Sequence, residues 1–220
     1  DAQVPLLETF ACLFDVLLDW NCLCVHPVFQ HDAEPFATAL LTVLEAPLGK
    51  GEALLCAACR AKQSAVQLGA ALLQAGLLAP LAARFIAICW RALQDAPPDQ
   101  DCDSLVVALF GGVQAVLSIP TLAACTIPSP QALEAMCQHL LTTMRLRQVD
   151  LDLFEDDPMQ YMQLHAEGND THTRREAART FLKALSQTAA YGPQTLDILY
   201  QLICNLRDEY LQEAGNWQAK

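Results

Sequence analysis

DLDLFEDDPMQYMQLHAEGNDTHTRREAA, Asp150–Ala178, interrupts an otherwise regular helical sequence. Across it the apolar three-to-four rhythm stops, carboxylates crowd together, and a new helix then opens on a charged signal. About two dozen irregular residues are uncommon inside a compact domain unless they are functional or disordered. Asp150, Asp152, Glu155, Asp156 and Asp157 supply the charge. Leu151, Leu153, Phe154, Met159, Tyr161, Met162 and Leu164 are more large apolar side chains than a disordered linker carries. The stretch is therefore expected to be an acidic loop that docks on something. It lacks the central Gly and terminal Glu of an EF-hand, so calcium is not expected there.

Outward from this break, the chain reads as paired helices. Leu6, Leu7, Phe10, Leu13, Phe14, Leu17 and Leu18 recur at helical spacing and predict a helix over Val4–Cys24. Val25–His31 is a connector broken by Pro27, and Asp32 with Pro35 opens a second helix to about Glu45. Glu52–Ala75 and Leu78–Gln94 form the next pair, punctuated by Gly76 and by Pro97-Pro98. Asp103–Ser118, stopped by Pro120, pairs with Pro130–Met144, for which Ser129 is the expected N-cap. Thr171–Tyr191, capped by Asp170 or Thr171, turns at Gly192-Pro193 into Gln194–Ala214.

First helices thus begin near residues 4, 51, 101 and 171. The first two intervals, about 47 and 50 residues, approach the period of two-helix HEAT or armadillo units. The third is about 20 longer, and the excess falls between residues 145 and 170. No stretch sustains period-two alternation between turn signals. The predicted fold is all-α: an α-solenoid of about four HEAT-like antiparallel helix pairs (4–46, 51–95, 101–144 and 171–214) with one insertion at 145–170.

A net charge of −12 disfavours nucleic acid, whose phosphates need clustered Lys and Arg, and favours basic protein surfaces. With 53% hydrophobic residues and mean hydropathy +0.23, the composition suits helices buried on two sides, or a piece of a longer molecule. A start at Asp1 without a methionine suits a fragment or a processed product. Leu68–Ala83 is the most membrane-like stretch, but Gln74 and Pro80 interrupt it, so no membrane span is expected. Ten cysteines lie mostly in apolar helical sequence (Cys12, Cys56, Cys59, Cys89, Cys137, Cys204), where free thiols act as small buried hydrophobes. A reducing compartment follows, and the Asn169-Asp170-Thr171 sequon is a chance match.

Few constellations suggest chemistry. Cys22-x-Cys24-x-His26 with His31 gathers four zinc-type ligands, but cysteines two apart lie on different helix faces, and helix end plus connector is the stronger reading. Cys56-x-x-Cys59 lacks the strand-to-helix turn of a redox motif and reads as core. None of His26, His31, His139, His165 and His172 is flanked by a nucleophile turn. No phosphate loop or metalloprotease helix occurs. A non-catalytic protein with no metal and no cofactor is expected.

Phe154-Glu155-Asp156-Asp157, then Tyr161, then Glu167-Gly168-Asn169-Asp170-Thr171-His172-Thr173-Arg174-Arg175-Glu176-Ala177-Ala178 resembles a signature of the CAS-type exportins. These are karyopherin-β proteins that return importin-α from the nucleus to the cytoplasm. Ala82–Leu93, with Arg84, Phe85 and Trp90, is similar to a further helix of that family. The resemblance implies a middle segment of a HEAT-repeat arch wrapped around Ran-GTP and importin-α, shuttling between nucleus and cytoplasm through the nuclear pore. It carries partner contact onto Phe154, Glu155, Asp156, Asp157, Tyr161, Glu167, Gly168, Asp170, Arg174 and Arg175. Met162, Gln163, Leu164 and His165 stand where the family has basic residues, so contacts made by those bases are not carried over. Arg174 and Arg175 oppose the helix dipole and are expected to meet an acidic partner or to brace Asp156 and Asp157. The segment alone is expected to be monomeric. The competing reading is a HEAT- or armadillo-type scaffold unrelated to Ran, whose binding would not depend on nucleotide.

Overall fold

The computed structural model describes residues 3–19, 33–49, 51–97, 102–165 and 173–212, and every regular element among them is helical. In chain order these are α1 (Gln3–Asp19), α2 (Ala33–Glu45), α3 (Glu52–Gln74), α4 (Ala82–Asp95), α5 (Asp103–Leu117) and α6 (Pro120–Thr126). There follow α7 (Pro130–Thr143), α8 (Gln148–Asp156), α9 (Pro158–His165), α10 (Arg174–Gln187) and α11 (Gly192–Gln212). The fold is an all-α solenoid. One layer sets α1, α3, α5 and α10 side by side in that order. The other runs through α2, α4, α6 with α7, and α11.

Local chemistry sets most boundaries. Ser129 accepts a bond from Ala132 N at 3.2 Å and caps α7, with Pro130 in the first turn. Gly76 has φ +79°, and Leu77 N and Gly76 N donate to Leu72 O and Leu73 O, both at 3.0 Å. This is a Schellman stop, which needs a residue free to enter the left-handed region. Ala96 is extended ahead of Pro97, ending α4.

Apolar and aromatic side chains then hold neighbouring helices together within each layer. Phe14, Phe85, Phe110 and Phe181 are fully buried, and Phe110 of α5 meets Phe181 of α10 at 5.5 Å between ring centroids. Aromatic pairs of this kind add about 0.5–1.5 kcal/mol beyond the area they bury. Trp90 of α4 meets His139 of α7 edge-on at 5.2 Å, and burial pulls the His139 pKa below its ordinary value.

Several expectations need correction. The 145–170 insertion is not irregular where it is described: it folds into α8 and α9. Pro120 does not merely end a helix but opens the short α6, using a position where a missing N–H costs nothing. The helix expected from Thr171 starts at Arg174, and its cap is Thr173, which accepts from Glu176 N at 3.2 Å. It stops at Gln187, and residues 188–191 form a turn.

Cys59, Cys89 and Cys137 are buried as expected, but Cys12 and Cys56 are exposed. A three-residue step leaves Cys56 about 60° around the helix from Cys59, enough to leave the buried stripe. Cys59 Sγ lies 3.7 Å from Cys102 Sγ, and burial pushes the Cys59 thiol up to about 12. Such a thiol is not a nucleophile at neutral pH. The Cys22, Cys24, His26, His31 group lies outside the described residues, as do His172, Asp32 and the sequon. Among the described residues no three His, Cys, Asp or Glu side chains converge as metal ligands, and no helix is long and apolar enough to cross a membrane.

Candidate partner-binding site

α8 and α9 form a small hairpin between the third and fourth helix pairs. Asp150, three residues after Arg147, accepts from Arg147 N at 2.9 Å and so satisfies a donor at the start of α8. Its carboxylate also receives Arg147 Nε at 3.4 Å. α8 stops because Asp157 precedes Pro158 and is forced out of the helical region, at φ −142° and ψ 83°. The same Asp157 then caps α9, accepting from Gln160 N at 2.9 Å with Pro158 in the first helical position. Phe154 packs edge-on against Tyr161 at 5.3 Å, which closes the hairpin.

What the hairpin shows to its surroundings is mixed acid and grease. No residue of α8 is buried. Glu155, Asp156 and Asp157 are exposed, and beside them Phe154 remains 50% exposed even with Tyr161 against it. Val149, Leu151, Met159 and Met162 are exposed too. Exposed apolar side chains and carboxylates thus share the surface of this hairpin.

The base of the hairpin is different. Asp103, the first residue of α5, takes Arg147 Nη1 on both carboxylate oxygens at 3.3 and 3.2 Å, and takes Arg174 Nε on one of them. Arg174 also donates through Nη2 to Pro97 O at 3.0 Å. So Arg174, expected to face a partner or to brace Asp156 and Asp157, instead binds the body of the solenoid. Arg175 Nη1 is buried with no hydrogen-bond partner among the described residues. Next to it, Glu176 is held by Arg179 at 2.7 Å, and that bond keeps its carboxyl below the usual range.

Of the residues singled out by sequence, Phe154, Glu155, Asp156, Asp157 and Tyr161 therefore fall together on one hairpin, and Arg174 lies at its base. Glu167, Gly168 and Asp170 lie outside the described residues. Asp103 and Arg147 escaped the sequence reading, since an Asp opening a helix and an Arg in a connector are ordinary signals.

The family model for Cse1 matches residues 6–220 of the chain. The chain belongs to the Cse1 family. A relative of this Cse1-family chain, the importin alpha re-exporter of Saccharomyces cerevisiae, is 30% identical over 142 residues, covering 64% of this chain and 15% of that protein. Exportin-2 of Dictyostelium discoideum is 30% identical over 138 residues, covering 62% and 14%. The chain thus spans about a seventh of the length of the relatives it matches. A solved structure, the exportin Cse1 in its cargo-free, cytoplasmic state, superposes with a TM-score of 0.82 at 24% identity. That match covers 96% of this chain and 24% of the other, and it supports the Cse1-like solenoid as the fold.

Proposed function

We propose that this chain is a segment of a nuclear transport receptor that carries importin-α out of the nucleus together with Ran-GTP, shuttling between nucleus and cytoplasm. Its contribution is binding, without catalysis and without a cofactor. The α8–α9 hairpin is the contact element: Phe154 and Tyr161 anchor, while Glu155 and Asp156 steer basic partner surfaces. The family resemblance assigns partner contact to Glu167, Gly168, Asp170 and Arg175 as well. The single observation that carries this reading is the exposed acidic and aromatic hairpin in a chain of the Cse1 family.

The test uses the full-length protein with Glu155→Lys and Asp156→Lys together, leaving Asp157 in place because it caps α9. Capture of importin-α with Ran-GTP should fall about tenfold, the equivalent of 1.4 kcal/mol. Ran-GDP should support no capture in either protein. Unchanged capture by the variant sinks the proposal, and capture indifferent to the nucleotide favours the scaffold reading.

A further inference from the structure

The hairpin raises a physical problem. α8 and α9 pack on each other, bury no residue of α8, and present carboxylates and apolar side chains outward. Among its described residues so little surface is buried that packing gives the hairpin no hydrophobic reason to leave the solenoid in one direction rather than another. Direction has to come from its base.

There, a single carboxylate receives guanidinium groups from both flanks of the insertion. Arg147 immediately precedes α8, Arg174 opens α10, and Asp103 opens α5. Their side chains are 23%, 11% and 14% exposed, in the order Arg147, Arg174, Asp103. Partly buried ion pairs with several charge-assisted bonds are stronger and less salt-screened than surface ones. Among the described residues, two cations meet Asp103 and Asp150. The members of this group sit unequally with their helices. An acid is favourable in the first turn of α5, but a base is unfavourable in the first turn of α10. Arg174 thus occupies a site its own helix disfavours, and Asp103 offsets that penalty. α5 and α10 meanwhile already hold each other through Phe110 and Phe181, so their packing does not depend on these bonds.

We infer that Asp103 is a positioning residue which, by gripping Arg147 and Arg174, fixes the direction in which the α8–α9 hairpin leaves the solenoid. Its consequence for partner binding rests on the proposed function, but the grip itself does not.

Two measurements on the full-length protein separate those layers. In amide hydrogen exchange, Asp103→Asn should speed peptides covering 148–165 about tenfold relative to wild type, as loss of roughly 1.4 kcal/mol of local stability would. Peptides within 105–113 and 178–185 should not change. Arg147→Gln, which removes one of the two guanidinium groups on Asp103, should do the same, and Asp103→Glu should restore part of the protection. Uniform acceleration across α5, α10 and the hairpin, or none at the hairpin, overturns the inference. In capture of importin-α with Ran-GTP, Asp103→Asn should weaken binding about as much as Glu155→Lys with Asp156→Lys. If the lysine variant loses binding and Asp103→Asn does not, the positioning role is wrong. If the lysine variant itself keeps binding, the proposed function fails and exchange alone judges the grip.

Discussion

Tyr191 shows how one side chain can join elements far apart in sequence. Its hydroxyl donates to Ala123 O at 2.6 Å and accepts from Ile127 N at 3.1 Å, so α6 and the segment after it are tied to the turn before α11. Both bonds are buried, where no water replaces them easily. Tyr191→Phe keeps the ring but strands a backbone N–H and a carbonyl, which costs about 1–3 kcal/mol. Urea unfolding of the variant should show that loss as a lower midpoint at unchanged slope. Tyr200→Phe, on a residue that is 71% exposed, should leave the midpoint alone. Sequence offered only a helix end at Tyr191, because its partners are more than 60 residues away. Lys62 is a similar case. It is buried on α3, where desolvation pulls its pKa down, yet it donates to Leu44 O at the open carbonyl end of α2. A lysine between Ala61 and Gln63 carries no signal of that role.

At the scale of elements, the long helices were legible because each has an apolar stripe and a strong stop. Gly76, Pro97 and the Ser129-Pro130 pair act through local backbone chemistry, which sequence reports directly. The insertion was not legible as helix. α8 and α9 are each under three turns, their apolar residues share the surface with carboxylates, and Asp157-Pro158 reads first as a break. It is in fact a break and a cap together. Gly111-Gly112 tests the opposite failure, since two glycines inside a helix argue for a stop, yet α5 runs straight through them. A Cβ on Gly112 would fall 2.5 Å from Val66 Cγ1 of α3, whereas one on Gly111 meets nothing within 4 Å. Gly112 is therefore a close-approach site between two helices of one layer, and Gly111 is not. Gly112→Ala should destabilise by about 1–3 kcal/mol through overpacking. Gly111→Ala should stabilise by about 0.5–1 kcal/mol through helix propensity alone. Calorimetric midpoints moving in the same direction would contradict this assignment of faces.

For the whole molecule, stability runs along the stack, because each helix pair needs neighbours on both sides to cover its apolar faces. The outer helices lack one such neighbour among the described residues. α11 turns Ile198, Leu199 and Leu202 inward, while Leu196, Tyr200 and Ile203 remain exposed at helical spacing. α1 leaves Leu6, Leu13 and Val16 exposed in the same way. Contiguous apolar stripes of this kind associate in water. The 220-residue chain on its own should therefore self-associate as concentration rises. Leu196→Gln, Tyr200→Lys and Ile203→Glu together should suppress that association without loss of helix content, since none of the three side chains supports the core. Sedimentation velocity across a concentration series separates the outcomes. Equal association by wild type and variant would move the adhesive surface elsewhere, with the exposed apolar residues of the α8–α9 hairpin the next to substitute.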